Sequence, residues 1–280
     1  MIPSNNAQCS ATQSAEKQLD DLPTEKLQQI LLWLDAKVLV KICALVCQRW
    51  NGLISGKGFW AEYCADRNIL LPPKRFWDVP SHELNFAKIA VYRPFGRNLL
   101  RNPCFEQEHD GWIIGDDEDD NDTSRDFVIE SPPVGCARHP TATHCFVTTY
   151  YWCTKRQLID LAAIGVEAWL MDTVRPTIRY SEDTAARGDC ASTYELQVQL
   201  LDQEKETKDT REHERSVPQW GDQSIPWAEQ PWTTIAGEIS DYDPGARYIQ
   251  FESRGKDDQF WAGYYGSKMT NAKLELVFNR

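Results

Sequence analysis

The stretch Tyr194-Glu195-Leu196-Gln197-Val198-Gln199-Leu200 places an apolar or aromatic side chain at every second position, with Glu or Gln between. A period of two belongs to a β-strand with one dry and one wet face, as in an antiparallel sheet. Working outward, Ile249 and Phe251, then Leu274, Leu276 and Phe278, keep that period. Further strands are predicted over 144–149, 157–161, 177–180 and 232–240, with turns such as Asp243-Pro244-Gly245 among them. Short strands punctuated by Gly, Pro and Asp from about residue 99 onward specify an antiparallel β-sandwich rather than βαβ units. Within it, 166–172 reads as one or two helical turns and 202–215 as a mobile hairpin loop carrying a solvated His213. The acidic run 116–122 repels itself and reads as a solvated loop without the spacing of an EF-hand.

Before Pro72-Pro73 the texture is helical. Leu27, Ile30, Leu31 and Leu34 follow i, i+3, i+4, i+7, and Leu39, Ile42, Cys43 and Val46 repeat the spacing. Asp21-Leu22-Pro23-Thr24-Glu25 supplies a cap and an early proline, and Asp35 separates the two helices. Leu32, Trp33, Val38, Val40 and Leu45 occupy the other faces. Roughly 45 residues cannot bury both sides of such helices, so the remainder is covered either by the second domain or by a partner. The chain is thus α + β and multidomain: a disordered leader over 1–20, a three-helix module over 21–68, a linker over 69–92 with a short helix near 84–90, and the sandwich over 93–280.

Composition narrows the function. Thirty Lys+Arg against 42 Asp+Glu give a formal charge of −12, which repels phosphate backbones and acidic membranes, so nucleic acid is not an expected partner. Residues 30–47 are interrupted by Asp35, Lys37 and Lys41 and do not form a transmembrane span. The polar N-terminus lacks the apolar core of a secretory signal, and a cytoplasmic location is expected. Nine cysteines without any C-x-x-C pair argue for free thiols, no metal and no disulfide framework. G-x-S-x-G, H-E-x-x-H, Walker and G-x-G-x-x-G patterns are missing, so neither a catalytic residue nor a cofactor is assigned.

Aromatic residues cluster in Tyr150-Tyr151-Trp152 and Phe260-Trp261-Ala262-Gly263-Tyr264-Tyr265-Gly266, where consecutive flat side chains cannot all face inward along a strand. Outward rings suit the apolar C–H face of a pyranose.

Two resemblances join these readings. Leu22-Pro23-Thr24-Glu25, Ile30-Leu31-Leu32-Trp33-Leu34-Asp35, Leu39 and Leu45-Val46-Cys47-Gln48-Arg49-Trp50 closely resemble an F-box over about 45 residues. The segments 97–103, Tyr151-Trp152-Cys153, 157–161, Tyr194-Glu195-Leu196, 241–247 and 260–266 resemble the F-box-associated domain of the sugar-recognising F-box proteins, a jelly-roll-like sandwich spanning about 93–279. The resemblance implies a substrate-recognition subunit of an SCF-type ubiquitin ligase, itself non-catalytic, joined to cullin and RING subunits through a Skp-type adaptor. It places Leu22, Pro23, Ile30, Leu31, Leu34, Leu39, Val46 and Trp50 at the adaptor, with Trp50 as the anchoring aromatic. It places Tyr150, Phe260, Trp261 and Ala262 at the chitobiose core of high-mannose N-glycans, on glycoproteins bound for ER-associated degradation. Two of these depart from the family pattern: Phe260 lacks a tyrosine hydroxyl and Ala262 lacks a lysine ammonium. Three rivals stand beside this reading: a receptor for protein surfaces without glycan recognition, a hydrolase using two sandwich carboxylates, and a secreted carbohydrate-binding module.

Overall fold

The computed structural model describes residues 22–79, 82–115, 126–219 and 222–278. The leader expected over 1–20 and the acidic run 116–122 lie outside them. The chain divides into two compact units, residues 1–63 and 64–280, and no helix among the described residues is long and apolar enough to cross a membrane.

In the first unit α1 (Thr24–Leu32) begins after Pro23, whose missing N–H costs nothing at a helix start. Asp35 caps α2 (Ala36–Lys41), its carboxylate accepting the Lys37 N–H at 2.8 Å. The second apolar stripe is then split: Ile42 leaves helical geometry (φ −123°, ψ −61°) and a 3-10 turn covers Cys43–Leu45. Next come α3 (Gln48–Ile54) and α4 (Lys57–Asp66), in which the unit boundary falls. Leu27, Leu31, Leu39 and Ile54 form the core with Phe59, Trp60 and Tyr63. Trp60 Nε1 donates to the Ile54 carbonyl at 2.6 Å and the Tyr63 hydroxyl to that of Leu34 at 3.2 Å, so the buried polar tips of both rings are satisfied.

The second unit opens on a stretch that is folded rather than strung out. The hairpin β1 (Asp78–Val79) with β2 (His82–Glu83) leads into α5 (Phe86–Tyr92), capped by Asn85, whose side chain accepts the Lys88 N–H. Leu84, Phe86, Ile89 and Ala90 are buried, and Trp77 meets Phe86 edge to face at 5.0 Å.

Among the described residues the sandwich has ten strands: β3 (Ile113–Ile114), β4 (Phe127–Glu130), β5 (Cys145–Thr148), β6 (Cys153–Asp160), β7 (Thr177–Ala185), β8 (Ser192–Leu201), β9 (Thr207–Val217), β10 (Thr233–Ile239), β11 (Tyr248–Asp257) and β12 (Lys268–Val277). They pair antiparallel in two five-stranded sheets, ordered β10-β7-β12-β5-β4 and β3-β6-β11-β8-β9. Tyr194, Leu196, Val198 and Leu200 all point into the core, as their alternation predicts. Lys155 of β6 crosses the core to Glu182 of β7 at 2.6 Å, and Ser253 and Tyr194 complete the network at 2.7 and 2.9 Å. Lys155 also lies 4.1 Å from the centre of the Trp112 ring. A second buried ammonium, Lys268, meets Glu130 at 2.6 Å.

Two expectations need correction. The segment read as a mobile loop over 202–215 is largely strand: β9 is an 11-residue edge strand paired with β8 along most of its length. Its charges fit an edge, where one face stays wet and charge discourages pairing with other chains. His213 is half-buried on it, 2.9 Å from the Tyr180 hydroxyl, rather than solvated. The helical turns expected over 166–172 are present, running from 168 into a π-helical stretch, Leu170–Val174, ended by Arg175 at φ +51°.

Candidate functional site

Two surfaces stand out, one in each unit. In the helical module the residues expected at the adaptor separate into three groups. Leu31 and Leu39 have no exposed surface, so they hold the helices together and cannot themselves face a partner. Leu22, Leu34 and Trp50 are half-buried, while Pro23, Ile30 and Val46 are exposed. Larger exposed side chains lie beside the last group: Trp33 is 86% exposed, Leu45 79% and Ile42 60%. These belong to the off-stripe and second-stripe apolar residues, and the two-sided pattern was the signal that would have singled them out.

In the sandwich the turn 149–152 joins β5 to β6, and the loop 258–267 joins β11 to β12. Backbone bonds lash both to one end of the fold: Asp257 N–H to the Thr149 carbonyl at 2.8 Å, Gly266 N–H to that of Thr148 at 2.9 Å, and Thr148 N–H to that of Ser267 at 3.2 Å. The approach requires glycine at 266, since a Cβ there would lie 2.2 Å from Thr148 Oγ1 and 2.8 Å from the Thr149 carbonyl oxygen. The longer loop passes through left-handed geometry at Phe260 (φ +57°) and again at Gly263 (φ +119°). Between and around these bends Phe260 projects with 72% of its surface exposed and Trp261 with 38%. Ala262 and Tyr264 are exposed beside them.

Trp261 meets Tyr265 edge to face at 5.4 Å, which fixes the indole against a half-buried ring. Tyr150 is half-buried, 4.3 Å ring to ring from exposed Tyr151. A hydrogen bond and charge interaction with Tyr151, with smaller contributions that include Asp126 and Asp257, raise the Tyr150 phenol above its usual value, so it is neutral near pH 7. Trp152 lies under Arg254 and Lys256, 4.5 and 5.2 Å from its ring centre. The four residues expected at the sugar thus sit on two loops that the backbone ties together, and Tyr264 and Tyr265 join them.

Behind this end of the sandwich Arg187 is held by Asp189 through paired bonds of 2.9 and 3.0 Å, a pair the sequence reading did not single out. That pairing is the first reason the Asp189 carboxyl lies below its ordinary value.

Geometry of this kind has known relatives. A model of the F-box associated region matches residues 90–276 and an F-box-like model matches residues 19–66, and the chain belongs to the F-box-associated family. Human F-box only protein 44 is 34% identical over 263 residues, covering 92% of this chain and 96% of its own. Human F-box only protein 6 is 34% identical over 268 residues, covering 94% and 85%, and bovine F-box only protein 2 is 34% identical over 264 residues, covering 91% and 83%. Among solved structures, TmCBM61 in complex with β-1,4-galactotriose covers 65% of this chain and 99% of its own, with a TM-score of 0.38 and 14% identity, too distant to bear on function.

Proposed function

We propose that this chain is the substrate-recognition subunit of an SCF-type E3 ubiquitin ligase. Its helical module docks a Skp-type adaptor, and through it the cullin and RING subunits. The sandwich holds the substrate and performs no chemistry of its own. The substrate class is the N-linked high-mannose glycoprotein, bound in the cytoplasm through its chitobiose core on the way to ER-associated degradation.

The observation that supports the sugar reading best is the exposure of Phe260 and Trp261 on a loop bent at both Phe260 and Gly263. A protein with this much core does not spend two large rings on water without use, and ring faces match the apolar side of a pyranose. Trp261 stacks one N-acetylglucosamine, and Tyr150 and Phe260 wall the acetyl group. Ala262 leaves its side free of a charged donor, which favours neutral ligands and modest affinity.

The test is calorimetric titration of the full chain with chitobiose and high-mannose N-glycans, with Trp261→Ala as control. Saturable binding that the control loses supports the reading. A flat titration of the folded chain overturns it in favour of the second reading, a receptor for protein surfaces, which the missing Phe260 hydroxyl and Ala262 ammonium favour.

A further inference from the structure

Rings alone orient a sugar poorly, because stacking leaves rotation about the ring normal free; a fixed hydrogen-bond donor is needed to set it. At the loop root, Asp257 Oδ2 and Gln259 Oε1 have no hydrogen-bond partner among the described residues, but both are acceptors and both are enclosed, out of a ligand's reach. Arg187 differs from them. Its Nε and Nη2 are spent on Asp189, while Nη1 makes no hydrogen bond among the described residues. Its guanidinium lies 4.7 Å from the centre of the Tyr265 ring, the same ring that braces Trp261 at 5.4 Å. It also lies 5.8 Å from the centre of the Trp227 ring, which is 46% exposed. Gly135 makes this arrangement possible, since a Cβ there would come within 3.1 Å of Arg187 Cγ and 3.3 Å of the Trp227 ring.

The contacts therefore run from Trp261 through Tyr265 and Arg187 to Trp227, one oriented cation among three rings. We infer that Arg187 Nη1 is the donor that orients the saccharide and that Trp227 is a second stacking face, so that the site takes a neutral sugar of two or more rings. This rests on the glycan reading above. Asp189 bears on the ligand's charge: it neutralises the guanidinium, so the donor suits a hydroxyl or acetamido oxygen rather than an anion, in a chain whose net charge of −12 already repels anions.

The experiment titrates the full chain with N-acetylglucosamine, chitobiose and chitotriose. In the wild type affinity rises with length. Arg187→Gln weakens binding of all three about tenfold, the loss of one charge-assisted hydrogen bond. Trp227→Ala spares the monosaccharide and flattens the rise. Arg187→Lys, which keeps the charge opposite Asp189 and loses the flat stack, falls between Arg187→Gln and wild type. A readout needing no variant is the side-chain Nε–H resonance of Arg187, which shifts when chitobiose is added to the wild type. If Trp261→Ala abolishes binding while Arg187→Gln binds as wild type, or if the Arg187 resonance stays put in the saturated complex, the donor assignment is overturned and the glycan reading stands. An undiminished rise in Trp227→Ala overturns the second face. A wild type that binds none of the three overturns the glycan reading and this inference with it.

Discussion

In the helical module the large apolar side chains left in water are mostly aliphatic, Ile30, Ile42, Leu45 and Val46 along with the aromatic Trp33; in the sandwich the prominent ones are aromatic and gathered at one loop end, Phe260, Trp261, Tyr264 and Tyr151. The module exposes them because a unit this small has too few layers to cover both sides of its helices. The sandwich has core to spare, and three of its four rings sit on a loop that turns through left-handed backbone at Phe260 and Gly263. The first kind of exposure suits a broad surface of another protein, and the second a ligand with flat apolar faces and polar edges.

The largest effect that would break this contrast lies in the module. Leu39→Ala or Leu31→Ala should cost about 2–5 kcal/mol and unfold it, seen as early loss of helical signal in a urea titration. A variant that keeps the wild-type midpoint and fails only to bind adaptor would return these leucines to the surface. Next, Leu45→Ala should leave the midpoint unchanged and weaken adaptor binding by about 2 kcal/mol, roughly thirtyfold, in a pull-down or calorimetric assay. Intact affinity would place the docking face elsewhere on the module.

Acid should act on the sandwich. Burial pushes the Asp172 carboxyl up, but the bonds from Arg247 at 2.9 Å and from the Gly245 N–H at 2.8 Å outweigh it and hold the group below its ordinary value; Asp189 is held down by Arg187. A lowered folded-state value means that the unfolded chain takes up protons first. The stabilisation is complete above about pH 4 and declines as the pH falls through the folded values. Urea midpoints of the sandwich signal should fall below about pH 4, and Arg247→Gln should flatten that fall; a profile identical to wild type would remove Asp172 from the account. The smallest effect is Ala262→Lys, which should strengthen chitobiose binding by about 1 kcal/mol through one added donor. No gain would mean that position 262 does not reach the sugar.

How much of this was legible depends on which physical signal each element carries. The alternation of β8, β11 and β12 is written in their residues because each buries one face. β9 lacked that signal because, as an edge strand, it has no fully buried position at all, its residues running from half-buried to exposed. β4 is four residues long, too short for a period to show. In the helices, spacing identifies a stripe without saying which side is inward, since apolar residues surround the axis; the F-box resemblance places Leu31 and Leu39 at the adaptor by motif position, and nothing in the spacing marks them as buried or Trp33 and Leu45 as exposed. In the loop 258–267, consecutive aromatics imply that some ring points out, but the ones that do are selected by left-handed backbone, and of the two bends only Gly263 is a residue type that advertises it. The place of the Arg187–Asp189 pair was illegible because the rings beside it, Tyr265 and Trp227, are remote in sequence.

One feature of the core bears on chemistry that reaches the chain from outside. Lys155 and Lys268 have no exposed surface, and each ammonium is engaged with a carboxylate. An amine so placed is enclosed by the sheets and held against its carboxylate, out of reach of any electrophile, so neither lysine can take up an acyl group, ubiquitin's C-terminus included, while the sheets stay closed. Acylation at these two positions, read by mass spectrometry after brief exposure to an amine-reactive label, would therefore count molecules whose sheets have parted, a clock for global opening that the surface lysines cannot provide.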